Sequence, residues 1–530
     1  MNFYKIAERR GIMNILLINP HIFWVSEGNT LKLRSRMFYD NLSIRYIASA
    51  LENAGHKVDI IDAHFEEISL EEINKIIKSR NKYDIYGISC TQRILDNALF
   101  VANYIKHIYK DAIIVVGGYA ATLMGPMLLE KATPFDIAMI GEGENSFIEL
   151  VKYAENRDEW NKIPNIFYRD GENIIRTKAG KMNCNLDDLA WPKRAEKYPA
   201  GKANILASRG CYGQCAYCSI TEFHRVSMEN AFRIRSAIDV VDEMEYLYKE
   251  KNVYYFDFVD DSFATIFREN KEWVDIFVAE LEKRNLHLTW GIQSRAIDVD
   301  YEIFKKLHKV GLRAVSIGIE NNVERIIKFF RTGTNYEIHK KSIEILKKLN
   351  INYFIEMIIL EPLTTLEEVK QNIEFLKDID YCGAAIQTPI TFSPKLELYI
   401  GTPIVKMYEG KVNLRYTKHA VEYDFVNKEV ALLRKALLYW QSKTGDIAAF
   451  HMTYQFYVAN KQKKIGLALQ TIKLSKRYLQ FDLNVYESLV DYLGNHGNCS
   501  MEDIKIFLHT YEEQVEEFRQ TLQTIYSELN

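Results

Sequence analysis

Between Ala207 and Cys218 the chain reads Ala-Ser-Arg-Gly-Cys-Tyr-Gly-Gln-Cys-Ala-Tyr-Cys. Cys211, Cys215 and Cys218 stand at Cys-x3-Cys-x2-Cys spacing on one short loop, with Gly210 and Gly213 easing its turns. Thiolates this close point inward only if something positive binds them, and the soft candidates are zinc and an iron–sulfur cluster. A closed zinc site needs a fourth protein ligand, for which His224 is the nearest candidate. A 4Fe–4S cluster on three cysteines instead leaves one iron open to a small molecule. Three unconnected buried cysteines are the plain alternative. Their density argues against it, since the chain has only four others, Cys90, Cys184, Cys382 and Cys499.

A chain of 530 residues is too long for one core, so two to four domains are expected. With 48% hydrophobic and 26% charged residues it reads as an ordinary soluble globular protein, and a net charge of −3 gives no sign of nucleic-acid binding. Seven scattered cysteines do not make a disulfide framework, so a reducing cytoplasm is the expected compartment. Met1–Lys5 lacks the apolar run of a signal peptide, and Met13 is an alternative start. The uncharged run Ala112–Leu129 contains Gly117-Gly118 and Gly125-Pro126, which fit a strand, a loop and a helix; no membrane span is expected.

The elements that must position the cysteines follow from periodicity. Apolar runs at Asn14–Pro20, Val58–Asp62, Ile85–Ser89, Ala112–Val116 and Ile137–Ile140 alternate with helical stretches, the first carrying Ile44, Ala48 and Leu51. Five alternations predict an α/β domain over residues 13–160: a doubly wound parallel sheet that binds ligands beyond its carboxyl ends. Small residues collect at those ends: Gly87, Ser89, Gly117-Gly118 and Gly141-Glu142-Gly143-Glu144. Residues 161–200 read as a linker, with a hairpin over Asn165–Thr177 turning at Asp170-Gly171 and a docking point at Trp191-Pro192. From Asn204 the alternation resumes, with strands at Val253–Phe258, Leu288–Gln293, Ala314–Glu320, Tyr353–Leu360 and Ala385–Phe392. That predicts a partial (β/α)6 barrel over 201–410, with its working groups at strand ends: Asp260, Asp261, Gln293, Ser294, Arg295 and Glu320. Residues 411–530 read as a helical domain. Its last helix carries Ile504, Phe507, Leu508, Tyr511, Val515, Phe518, Leu522 and Ile525 as a packing stripe, for the barrel or another subunit. Phe450–Tyr457 reads as core, with capping of a substrate pocket as the alternative.

The cysteine spacing, with Tyr217 just before the last cysteine, resembles the radical S-adenosylmethionine (SAM) superfamily. Gly117-Gly118 and Gly141–Glu144, ahead of that loop, are similar to the cobalamin-binding domain of cobalamin-dependent radical SAM enzymes. The resemblance covers about residues 14–405 and ends at Gly401-Thr402-Pro403, a barrel-closing element. It implies a 4Fe–4S cluster on Cys211, Cys215 and Cys218, with SAM on the open iron and Tyr217 near its adenine. It implies SAM contacts at Asp260, Asp261, Gln293, Arg295 and Glu320, and cobalamin contacts at Ser89, Gln92, Gly117, Gly118, Gly141, Glu142 and Gly143. Asn19–Trp24 lacks the Asp-x-His-x-x-Gly pattern, so no histidine–cobalt bond is expected; Ser89–Arg93 should meet the lower face, leaving His21 and His64 as loop residues. Glu361-Pro362-Leu363-Thr364 departs from the Gly-x-Pro-Gly turn of the superfamily.

The implied activity is methylation of an unactivated carbon, through methylcobalamin and a 5′-deoxyadenosyl radical. The implied partners are a small-molecule or peptide substrate and an electron donor such as flavodoxin or ferredoxin. Rearrangement or cyclisation without methyl transfer is the alternative within enzymes. Methylthio transfer is disfavoured, because the N-terminal region has no second three-cysteine set. A cobalamin- or SAM-sensing module with a structural cluster is the non-enzyme alternative, and three intact cysteines with a full barrel argue against it.

Overall fold

The structure is a computed structural model describing residues 11–20, 40–180, 183–198, 201–225, 232–383, 390–392, 395–417, 420–447 and 463–529. They form two compact units. The first runs to Trp290 and takes in Tyr399–Pro403; the second runs from Gly291 to Leu398 and holds Ile404–Thr417 and the residues from Val421 on.

In the first unit, β1 (Asn14–Asn19), β2 (Lys57–Asp62), β3 (Ile85–Ser89), β4 (Ile113–Gly117) and β5 (Ile137–Met139) are parallel and lie in the order β2-β1-β3-β4-β5. Helices α1 (Leu42–Asn53), α2 (Leu70–Ser79), α3 (Leu95–Ile108), α4 (Tyr119–Leu128) and α5 (Glu144–Tyr153) alternate with them. Successive strand side chains face opposite ways, so Leu16 and Ile18 enter one core and Ile15 and Leu17 the other. With both faces covered, the inner strands β1, β3 and β4 are mainly apolar. The hairpin is more than a linker. Its strands β6 (Ile166–Asp170) and β7 (Asn173–Arg176) are antiparallel, and β6 pairs with β5, making a seven-stranded sheet. Pairing covers an edge that β5 would otherwise expose.

The second alternation starts in the same unit. Strand β8 (Lys202–Ile205) is followed by β9 (Ser208–Arg209), the cysteine loop, α6 (Ser219–Arg225) and β10 (Arg233–Ile234), which pairs antiparallel with β9. Helix α7 (Ala237–Lys251) then leads to β11 (Tyr255–Phe258), parallel to β8. Trp191 docks on α7 as expected, its Nε1 donating to Asp239 at 2.9 Å. Helices α8 (Thr265–Glu269) and α9 (Lys271–Lys283) precede β12 (Thr289–Arg295), a strand whose residues from Gly291 on belong to the second unit.

The second unit continues with α10 (Tyr301–Lys309), β13 (Leu312–Glu320), α11 (Glu324–Phe330), α12 (Tyr336–Lys348), β14 (Asn352–Met357) and α13 (Leu366–Asp378). Strands β13 and β14 are parallel. Of the sixth expected strand, residues 385–389 lie outside the described residues. Ile390–Phe392 is a 3₁₀ turn, held where Thr391 donates from N and Oγ1 to the buried Asp482 at 3.0 and 2.5 Å. After α14 (Pro403–Tyr408) and the hairpin β15 (Leu414–Tyr416)–β16 (Val421–Tyr423), the chain is helical: α15 (Lys428–Thr444), α16 (Ile465–Asn495), α17 (Met501–His509) and α18 (Glu512–Leu529). The expected last helix is therefore two, broken at Thr510-Tyr511, and a Ser500–Asp503 capping box starts the first. Its stripe packs within the unit, with Phe518 against Tyr478 and Phe481 of α16 at 5.3 and 5.4 Å. Phe450–Tyr457 lies outside the described residues. Among the described residues, no helix is long and apolar enough to cross a membrane.

Candidate active site

A cavity of about 360 Å³ lies at the carboxyl ends of β3, β4 and β5, within the first unit. Small residues floor it: Gly87, Ser89, Gly117, Gly118, Gly141 and Gly143. Gly118 has φ +93°, and a Cβ there would stand 2.8 Å from the carbonyl oxygen of Cys90. At Gly117 a Cβ would meet nothing within 4 Å, so that space belongs to the cavity. Of the expected lower-face loop, Ser89, Cys90 and Thr91 line the cavity. Gln92 does not. It is buried and holds Ile400, donating to its carbonyl and accepting from its N–H, both at 3.2 Å. His64 is not among the lining residues, and His21 lies outside the described residues.

The opposite wall comes from the cysteine side: Leu206, Arg209, Phe223, His224, Val259 and Asp261. Glu142 and Glu144, expected near cobalamin, grip arginines there. Arg209 places Nη1 2.9 Å from Glu142 and Nη2 2.7 Å from Glu144, while Arg233 forks onto Glu142. Burial opposes ionisation of Glu142, but Arg209 and Arg233 outweigh it and hold the carboxyl below the usual range. The Arg209 guanidinium also lies 4.8 Å from the Tyr46 ring. Since Arg209 ends β9, these pairs seat the start of the cysteine loop on the cavity.

Asp261 accepts from Gly210 N at 2.8 Å and meets His224 Nε2 at 2.9 Å. Its neighbour Asp260 turns inward. It is fully buried and accepts from Ala207 N at 3.2 Å and Ser208 Oγ at 2.5 Å, bracing the strand ahead of the cysteines. Burial pushes its carboxyl up to about 7, against the hydrogen bonds from Ser208 and Ala207. The folded state thus holds a proton that an unfolded carboxyl releases near pH 4, about 3.9. Stability from this group is present below that value and lost as pH rises to about 7. Raising the pH from 4 to 8 should therefore cost wild type about 1–4 kcal/mol more than Asp260→Asn. Thermal midpoints of both proteins across that range check this, and parallel curves would refute it.

In the loop, Cys211 Sγ accepts from Gly213 N at 3.3 Å, and Cys218 N donates to the Cys215 carbonyl at 3.1 Å. Burial pushes the Cys218 thiol up to about 12, with Cys215, Asp261 and Cys211 adding to it. As they stand, no three His, Cys, Asp or Glu side chains among the described residues are gathered to hold a metal ion. The donor set still fits a cluster. Three thiols share one loop, and a bound cation would reverse the penalty on their ionisation. Tyr217 is half-buried in the same loop and does not line the cavity. The other expected SAM contacts belong to the second unit. Gln293 is exposed, Arg295 donates to the Thr332 carbonyl at 2.5 Å, and Glu320 has φ +65°.

Residues 29–151 match the model of the B12 binding domain, and residues 205–376 that of the radical SAM superfamily. The chain belongs to the cobalamin-dependent radical SAM proteins. It is an enzyme of that class, and its cofactors are cobalamin, SAM and a 4Fe–4S cluster. It is similar to an uncharacterized methyltransferase of Pyrococcus horikoshii, 28% identical over 66% of this chain and 76% of the relative. It is also similar to the anaerobic magnesium-protoporphyrin IX monomethyl ester cyclase of Rubrivivax gelatinosus, 29% identical over 66% of this chain. The chain spans 64% of the cyclase's length. In fold it resembles the cobalamin-dependent S-adenosylmethionine radical enzyme OxsB with aqua-cobalamin bound, at a TM-score of 0.73 and 17% identity, covering 98% of this chain and 80% of that one. For such a radical SAM protein, the glycine-floored cavity offers the close backbone approach that a bulky cobalamin needs. The sequence reading missed Tyr46, Tyr119 and Phe223 in its wall; Tyr119 and Phe223 pack at 4.8 Å. Nothing in their spacing separates them from ordinary helix residues.

Proposed function

We propose that this enzyme methylates an unactivated carbon of a small-molecule or peptide substrate. One observation carries the reading: Arg209, directly ahead of the three-cysteine loop, forms part of the wall of the cavity at the B12-domain sheet and is pinned there on Glu142 and Glu144. When bound, SAM supplies both a methyl group and, on reduction at the cluster, a hydrogen-abstracting radical, while cobalamin carries the methyl. The chain's part is placement. Cys211, Cys215 and Cys218 hold the cluster, and Gly117, Gly118, Gly141, Gly143 and Ser89 cradle cobalamin. Asp261, Gln293, Arg295 and Glu320 are the candidate SAM contacts. Asp260 is not, because its oxygens are taken up by Ala207 and Ser208. Reduction draws on a donor such as flavodoxin or ferredoxin, and seven scattered cysteines that make no disulfide framework suit a reducing cytoplasm.

The similarity to the cyclase supports a second reading, radical cyclisation without methyl transfer. SAM carrying a labelled methyl group distinguishes the two. Anaerobically reconstituted full chain with reduced cobalamin should move the label onto cobalamin and release S-adenosylhomocysteine, read by mass spectrometry. Accumulation of 5′-deoxyadenosine with no label leaving SAM for cobalamin would refute methyl transfer and favour cyclisation.

A further inference from the structure

His224 lies on α6, shortly after the last cysteine, and lines the cavity with its side chain 5% exposed. Its Nε2 is 2.9 Å from Asp261 Oδ2, the oxygen that also accepts from Gly210 N at 2.8 Å, beside Cys211. A carboxylate only accepts, so Nε2 carries the proton, and Nδ1 of the neutral ring is an acceptor. Nδ1 has no hydrogen-bond partner among the described residues. Glu142 Oε1, 3.9 Å away, brings no proton to it. The ring is held in place by Phe223, edge-on at 5.2 Å, which itself packs on Tyr119. A buried acceptor beside a cavity, left without a donor, is built for a ligand that brings an N–H.

Resting on the cobalamin reading of this cavity, we propose that His224 is a cobalamin-contact residue. Its Nδ1 accepts a hydrogen bond from a primary carboxamide on the rim of the corrin. The chain His224 Nε2–Asp261–Gly210 N then ties the seated cofactor to the cysteine loop. A phosphate or carboxylate is disfavoured here, because the Glu142 carboxylate faces the same position at 3.9 Å from Nδ1.

The test measures binding of hydroxocobalamin to the reconstituted full chain by absorbance titration. It is repeated with the monocarboxylates of cobalamin, each with one carboxamide hydrolysed. His224→Phe keeps a ring but removes the acceptor, and should bind hydroxocobalamin about tenfold more weakly with iron and sulfide content unchanged. One monocarboxylate should bind wild type about tenfold more weakly yet be indifferent to the substitution, because its contact is already gone. His224→Asn, which restores an acceptor, should recover affinity. His224→Leu carries the same expectation as His224→Phe if the latter fails to fold. Wild-type affinity in the variants, or an equal loss for cobalamin and every monocarboxylate, would overturn the contact. If wild type bound no hydroxocobalamin at all, the cobalamin reading itself would fall instead.

Discussion

Changing Cys211, Cys215 and Cys218 together to Ala should yield a folded protein that holds no cluster and makes no 5′-deoxyadenosine from SAM. Wild type, reconstituted anaerobically, should take up about four irons and four sulfides and show a broad absorption that dithionite bleaches. The variant should show neither. Folding should survive because the loop is held from outside by Asp260, Asp261 and Arg209, and none of the three thiols belongs to the buried core. Cobalamin binding should survive for the same reason. Zinc in place of iron in wild type, or iron retained by the variant, would overturn the cluster assignment. Metal analysis and absorption spectra decide it.

The complementary change is Gly117→Phe. The Gly117 backbone is not left-handed, and an added Cβ there meets nothing within 4 Å, so β4 can carry the ring without strain. The ring then occupies the space proposed for cobalamin, and a floor raised in this way leaves the cofactor no close approach. Affinity for hydroxocobalamin should fall by about a hundredfold or more, equivalent to about 2.7 kcal/mol. Formation of 5′-deoxyadenosine should persist, since the cysteine loop is untouched. Gly118→Phe is a poorer probe. Its φ of +93° and the Cys90 carbonyl at 2.8 Å add about 1–3 kcal/mol of backbone strain, so lost binding and lost stability would be mixed. Unchanged cobalamin binding in Gly117→Phe would refute the assignment of this cavity.

The alternation of strand and helix was legible in the sequence because it is a local property. An apolar run such as Leu16–Ile18 is buried whichever neighbours it acquires, and its length and bounding Pro20 mark a strand. The cysteine loop was legible for a related reason: three donors at short spacing constrain their chemistry before any fold is known. Partners distant in sequence were not legible. Glu142 and Glu144 stand at a strand end where ligands bind, and only the fold reveals that Arg209 and Arg233 reach them. Gln92 sits in the expected lower-face loop, yet it spends both ends of its amide on Ile400, far along the chain. Asp260 and Asp261 are neighbours of one type, and the loop after β11 turns the first onto buried backbone and the second to the cavity wall. The sequence by itself determined most element types, Ile390–Phe392 and the break at Thr510-Tyr511 excepted, and the cofactor chemistry, because those depend on residue type and spacing. Which polar groups face a ligand and which face the protein was decided only by tertiary structure, because a carboxylate or amide answers to whichever donors long-range packing brings within 3 Å or so.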